Sequence, residues 1–301
     1  MVAVSVLLLT KNGTSELESL LQALYSQKDA PSFEVVAIDS GSTDHTVPLL
    51  GRYPVRLVQI PAREFHHART RNLAAGLASG AILVLLSQDA IPASHRWLHN
   101  LLVNFADPNV GAVYGRQLPK PGSLQERHET FENIYGPTRI VKDPNRPHSL
   151  GYRFFLFSDA NAAIRKSVWQ ATQFPEHLKV FEDIGIAKRI LDSGWKIVYE
   201  PQAAVVHSHN HDTVGLLKRY FDIGYTLKKL KIWDAPETRR SLARDARKIL
   251  LRKFTGTRPQ RRSADGLYKD LAKSLGLFLG INQACLPLAL KRHLSAYHVF
   301  E

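Results

Sequence analysis

The sequence predicts an α/β protein built on a doubly wound, mostly parallel sheet, with a helical, basic C-terminal region. Three observations carry this. Over the first 117 residues, apolar runs of strand length alternate with segments of helical spacing. From residue 213 onward the pattern is helical. Charge divides at the same place: residues 1–212 hold 21 Lys and Arg against 20 Asp and Glu, and residues 213–301 hold 19 against 7. A βαβα order gives parallel strands joined by right-handed crossovers. We therefore divide the chain into a domain at 1–212 and a basic region at 213–301.

The elements follow in order. Val2–Thr10 is a β-branched and Leu-rich strand. Ser15 with Glu18 reads as a capping box, followed by Leu17, Leu20, Leu21 and Leu24 at helical spacing. Phe33–Ile38 is a second strand, and a short helix from Thr43 closes at Gly51. Val55–Ile60 is a third strand. Ala68–Ala78 is helical, with Gly80 as its stop signal. Ala81–Ser87 is nearly all apolar, which suits burial on both faces. Ser94 caps a helix running to Phe105, and Val110–Gly115 is a fifth strand. Residues 118–150 read as a long loop or an insertion. Beyond it lie a strand near Phe154–Phe157, a helix at Ile184–Leu191 and a strand at Lys196–Tyr199.

Composition excludes several classes. A hydrophobic content of 44% with 22% charged residues suits a globular chain rather than a disordered one. One cysteine, Cys285, allows no internal disulfide and makes a Cys-based zinc site unsuited, so nothing argues for an oxidising compartment. The start lacks a basic segment and a cleavage site, so it reads as a strand and not a signal peptide. No uninterrupted apolar run reaches the ~18 residues of a spanning helix. The basic C-terminal region points to an anionic surface, either lipid headgroups or nucleic acid.

In open parallel sheets, ligands bind beyond the carboxyl ends of the strands. Thr10, then Asp39, Ser40 and Asp44, then Gln88 and Asp89 stand there. Asp39 is placed to accept hydrogen bonds from a base or ribose, whereas Asp44 reads equally as a helix-cap residue. Asp89 ends a buried strand. A carboxylate there can hold Mg²⁺ or Mn²⁺ against a diphosphate, or simply cap the approach to a helix. Neither a G-x-G-x-x-G nor a G-x-x-x-x-G-K-[ST] motif is present. Glu182 and Asp183 open an amphipathic helix, where the dipole favours negative charge. Asn161 lies in a segment that reads either as site-facing or as a polar turn. Arg116 follows the fifth strand, as a sugar contact or a surface charge. His207, His209 and His211 alternate along an extended segment; a zinc site would need a fourth ligand that the sequence does not offer.

Four stretches, VSVLLLTKNG, VVAIDSGSTDHT, EFHHARTRNLAA and LLSQDAIP, resemble the family 2 glycosyltransferases of GT-A fold. Within that family the patterns F-x-H-x-x-x-R-N, SQDA and VYGRQLP look most like bacterial rhamnosyltransferases of O-antigen and exopolysaccharide assembly. The resemblance covers roughly residues 2–233. It implies that Thr10, Asp39, Ser40 and Asp44 form the nucleotide pocket, and that Arg71 and Asn72 lie near the ribose and diphosphate. It implies Gln88 and Asp89 in the metal motif, with Asp89 as its last carboxylate; the first is missing, because the motif reads Ser87-Gln88-Asp89. Ala68 and His66 also stand where the family has glycine and asparagine. Asp183, beside Glu182, matches the general base, and His207 a histidine that approaches the metal or diphosphate. Asn161 and Arg116 fall beside the donor.

The resemblance implies an inverting, metal-assisted transfer from a nucleotide-sugar donor, dTDP-rhamnose, to a glycan or polyprenyl-linked acceptor. A UDP- or GDP-sugar donor is the alternative, and a catalytically inactive nucleotide-sugar-binding scaffold is another. The expected location is cytoplasmic, at the inner face of the plasma membrane, with peripheral contact through the basic region. The nearly neutral first two-thirds and the lack of any DNA- or RNA-binding motif argue against a nucleic-acid partner.

Overall fold

The computed structural model describes residues 3–122, 134–146, 150–208, 211–240 and 264–300. They fall into two compact units. The first comprises Met1–Asn145, Phe157–His177 and Glu182–Ser208; the second comprises Arg146–Leu156, Leu178–Phe181 and His209–Glu301.

The first unit is a nine-stranded sheet with helices packed on it. Its elements are β1 (Val4–Thr10), α1 (Thr14–Tyr25), β2 (Phe33–Asp39), α2 (Thr46–Leu50), β3 (Val55–Gln59), α3 (His67–Leu77), β4 (Ile82–Ser87), β5 (Ile91–Pro92), α4 (Trp97–Leu102), β6 (Val110–Leu118), β7 (Ile140–Lys142), β8 (Asn161–Arg165), α5 (Lys166–Thr172), α6 (Glu182–Asp192) and β9 (Lys196–Val206). The strand order is β3-β2-β1-β4-β8-β6-β9-β5, with β7 also on β9. Strands β1 to β4 pair in parallel, as do β6 and β9. Strand β8 runs antiparallel between β4 and β6. Its Ala162 and Ala163 are fully buried.

The core follows from the sequence periods. Leu17, Leu20, Leu21 and Leu24 line one face of α1 and are wholly buried against β-strand residues such as Val6, Leu8, Val35 and Val84. Strands β1 and β4 are almost wholly apolar and buried along their length, as parallel strands covered on both faces are.

Three local expectations are corrected. The Ser15–Glu18 capping box is not formed; the N-cap is Gly13, two residues earlier. There Thr14 gives its hydroxyl to Asp44, 2.7 Å away, so a tertiary partner takes over the work of the local cap. Ser94 does not cap the following helix, whose N-cap is Arg96. Phe154 and Phe155 lie in a 3-10 turn, Gly151–Phe155, and the strand is Asn161–Arg165.

In the second unit, α7 (Thr213–Lys229), α8 (Ala264–Ile281) and α9 (Leu288–Leu294) follow in order. Helices α7 and α8 pack with their backbones close. A Cβ on Gly276 would strike the Leu217 carbonyl, and one on Gly280 the Phe221 carbonyl. Asp212 caps α7 by accepting from Gly215 N at 2.7 Å. Asp222 is buried in α7 and accepts from the amides of Ala296 and Tyr297.

Candidate active site

The site grows from one edge of the sheet. Register places Thr10 opposite Asp39, Leu9 opposite Ser87, and Leu86 opposite Asn161. The carboxyl ends of β1, β2 and β4 therefore lie beside the start of the antiparallel β8. Strands β6 and β9, parallel to each other, end with Leu118 paired to Val206. Side chains tie the loops together. Gln88 donates to Lys11 O and accepts from Lys11 N, at 3.0 and 2.9 Å. Asn12 N donates to Ser42 Oγ, and Asn12 Oδ1 accepts from Thr43 N.

Asp39 is fully buried. Its carboxylate accepts from Thr10 Oγ, Gly41 N, Ser42 N and Ser42 Oγ. Those four bonds use the usual capacity of a carboxylate, so a ligand would have to replace one hydroxyl. Gly41, at φ +80°, gives the turn a left-handed residue that glycine adopts without strain. Ser40 Oγ returns to Thr10 O at 3.1 Å. Asp44 is exposed and accepts from the hydroxyls and amides of both Thr46 and Thr14. Those bonds, Thr46 foremost, hold its carboxyl well below the usual range. Its place is that of a clamp between two loops.

A second group surrounds Arg71, which α3 carries inward. The guanidinium Nε lies 2.5 Å from Asp159 and 3.6 Å from Glu182. All three residues are buried. Burial pushes the Glu182 carboxyl well up; Asp159 adds to the effect and Arg71 opposes it. His67 sits 3.8 Å from Glu182. Desolvation, then Arg71, lowers its pKa, although its side chain is 46% exposed. Asp183 is half-buried at the first turn of α6, with Oδ1 accepting from Ile184 N at 2.8 Å. Phe181, just before the pair, takes φ +57°, a conformation strained for an aromatic residue.

The third group joins Asp89 to His207. His207 Nε2 is 3.4 Å from Asp89 Oδ1, while Nδ1 is 2.8 Å from Gln117 Oε1. Among the described residues no group of three or more His, Cys, Asp and Glu side chains could hold a metal ion. Two ligands still fit Mg²⁺ or Mn²⁺, which take their other ligands from water and diphosphate oxygens. Of the other alternate histidines, His209 lies outside the described residues.

Two predicted residues are occupied elsewhere. Asn72 spends its amide on Trp169 Nε1, the backbone of Phe174 and Glu176. Asn161 is wholly buried within the sheet and bonds Trp97 Nε1, Arg116 O and Ala203 O. Arg116 is half-buried where the β6–β9 ladder slips between Gly115 and Gln117. Gln117 fell within the VYGRQLP pattern but was assigned no role from it, and Tyr135 had no sequence signal.

Comparison with known proteins places this geometry. Residues 5–171 match the family model described as Glycosyl transferase family 2. The O-antigen chain rhamnosyltransferase WbaN of Salmonella anatum is 36% identical over 214 residues, 70% of this chain and 68% of its own. RfbN of Salmonella typhimurium, also an O-antigen chain rhamnosyltransferase, is 34% identical over 224 residues, 73% of this chain and 71% of its own. Among solved structures, the mannosyltransferase PcManGT of Pyrobaculum calidifontis, in complex with GDP-Man and Mn²⁺, superposes with TM-score 0.60. It is 20% identical, with 99% of this chain and 84% of that one covered. TarS 1–349 of S. aureus with UDP-GlcNAc gives TM-score 0.60 at 16% identity, covering 97% and 86%. These two likenesses establish the GT-A fold.

Proposed function

The chain belongs to family 2 of the glycosyl transferases, and on that premise we propose that it transfers L-rhamnose from dTDP-rhamnose, with inversion, to a glycan or lipid-linked glycan in O-antigen-type polysaccharide assembly. The observation that carries the sugar is the 36% identity to WbaN over 214 residues. Asp183 takes the proton of the acceptor hydroxyl as that oxygen attacks the anomeric carbon. It stands in the first turn of α6, where the helix dipole favours a carboxylate. Glu182, held by Arg71, fixes the first turn of that helix. Thr10, Asp39 and Ser40 shape the nucleotide pocket. Asp89 and His207 would hold Mg²⁺ or Mn²⁺, which would supply positive charge to the departing diphosphate. Arg116 faces the donor sugar. Asn72 and Asn161 serve by fixing α3 and β8, and Gln88 by fixing the first loop.

We place the enzyme at the cytoplasmic face of the membrane, in peripheral contact through 213–301. Support comes from charge and from α8. Tyr268, Leu271, Leu275 and Phe278, all exposed, recur at helical spacing. No described helix is long and apolar enough to cross a membrane. Cosedimentation with anionic and with neutral vesicles tests this; binding to neither would remove it.

The function is tested by titrating the full chain with dTDP, UDP and GDP, each with and without Mn²⁺, and by following dTDP release from dTDP-rhamnose with a lipid-linked glycan. Manganese-dependent binding of dTDP supports the reading. Preference for UDP or GDP keeps the transferase and replaces the donor.

A further inference from the structure

We propose that Gln117 is a positioning residue that fixes the ring tautomer of His207, so that Nε2 presents its lone pair to the cation shared with Asp89. This rests on the cation reading of Asp89 and His207 given above.

Gln117 is buried. Its amide nitrogen donates to Ser158 Oγ at 2.7 Å and to Tyr135 OH at 3.0 Å. A side-chain amide has two N–H donors and one carbonyl. With both donors engaged, the carbonyl is what Gln117 offers to His207. It does so at 2.8 Å from Nδ1. A ring nitrogen facing a carbonyl must carry the proton. In the one-proton ring that a metal ligand must be, Nε2 then keeps its lone pair.

The backbone holds the two side chains in place. Gln117 pairs with Val205 and Leu118 with Val206 in the β6–β9 ladder, and His207 N donates to Leu118 O at 2.9 Å. The ladder slips just before Gln117, between Gly115–Glu200 and Gln117–Val205. Such an irregularity re-aims the side chains that follow it. Gly115 permits it, because a Cβ there would collide with Ala203 O and the Asn161 amide.

The consequence is at Asp89. A carboxylate oxygen and a lone-pair nitrogen stand 3.4 Å apart. Two acceptors facing each other gain nothing from the contact unless a cation lies between them. Were the Gln117 amide reversed, it would donate to Nδ1. The ring proton would then sit on Nε2, and His207 would be a hydrogen-bond donor to Asp89 and no ligand.

The test uses full-length ¹⁵N-labelled protein. Long-range ¹H–¹⁵N correlation reads the His207 ring, identified by its loss in His207→Asn. Nδ1–H is expected, and Nε2–H overturns the proposal. In parallel, Mn²⁺ binding in the presence of dTDP is measured by electron paramagnetic resonance for Gln117→Leu and Gln117→Glu. Leucine removes the acceptor, and affinity should fall about 10–100-fold. Glutamate still accepts from Nδ1, and affinity should stay within about 3-fold of native, a rescue that general loosening of the strand would not give. Native-like affinity in Gln117→Leu overturns the positioning role. Should that variant not fold, the native tautomer and Gln117→Glu decide. An Nδ1–H ring in a native chain that binds no Mn²⁺ overturns the cation reading itself, and is told apart by the intact tautomer.

Discussion

Arg71 Nε lies 2.5 Å from Asp159 Oδ2, inside a sheet edge where both side chains are nearly closed to solvent. The approach is close but not aligned as an N–H···O bond, since neither atom has a hydrogen-bond partner. The same guanidinium also faces Glu182 at 3.6 Å. One cation thus serves two buried acids. Arg71→Met should leave them together without compensation and cost about 3–5 kcal/mol, the usual cost of breaking a buried pair. Urea unfolding reads this. Asp159→Asn combined with Arg71→Met should cost less than the two single losses added. A loss under about 1 kcal/mol in Arg71→Met would mean the pair is already relaxed into water.

Glu182 carries a pH signature. Its folded-state pKa is raised well above the ordinary 4.5, chiefly by burial. The native state therefore holds a proton that the unfolded state has already released. Its contribution to stability is present in full below pH about 4.5 and is lost as pH rises toward the folded value. Glu182→Gln removes that slope. The difference in unfolding free energy between native and variant should drift by up to about 1.4 kcal/mol per pH unit across this window, in favour of the variant at higher pH. Parallel profiles would place the charge elsewhere in the cluster.

How much of this was legible depended on where the partners lie in the chain. Strands β1 to β4 and helices α1 and α3 were readable because their apolar residues follow a period of 2 or 3.6 within a short window. Strand β8 was not. NAAIR follows a polar SDA, and its burial comes from β4 and β6, which lie more than 40 residues away. Distance in the chain also hid the role of Gln117, whose partners Tyr135, Ser158 and His207 lie 18, 41 and 90 residues away. Asn72 stands in a recognisable motif beside Arg71, and its amide also holds Phe174 and Trp169. Motif spacing identifies residue types, and only packing shows which way each side chain is turned.

Glycines separate packing from propensity. Gly76 lies in α3, and a Cβ added there would meet nothing within 4 Å. Gly76→Ala should stabilise by about 0.5–1 kcal/mol, as expected for a solvent-facing helix site. Gly280 sits in α8, where a Cβ would meet the Phe221 carbonyl of α7, a backbone atom that cannot swing aside. Gly280→Ala should lose about 1–3 kcal/mol despite the gain in propensity. Thermal unfolding of both variants checks the contrast, and equal signs would mean the helix pair is not held by close backbone approach.

Asp183 is the residue on which turnover should depend without donor affinity. Its position at the opening of α6 leaves it half-buried, with one oxygen bonded to Ile184 N. Asp183→Asn keeps the shape and the oxygen that accepts from Ile184, so the helix should form as before. It loses the basicity needed to take the acceptor proton. The expected result is a fall in kcat of about 10²–10⁴-fold, with dTDP affinity unchanged by calorimetry. Asp39→Asn should behave in the opposite sense. It weakens the turn that Thr10, Gly41 and Ser42 build around the carboxylate, and nucleotide affinity should fall first. A kcat near native in Asp183→Asn would remove it as the base and direct attention to Glu182, whose raised pKa would then suit a group that shuttles a proton.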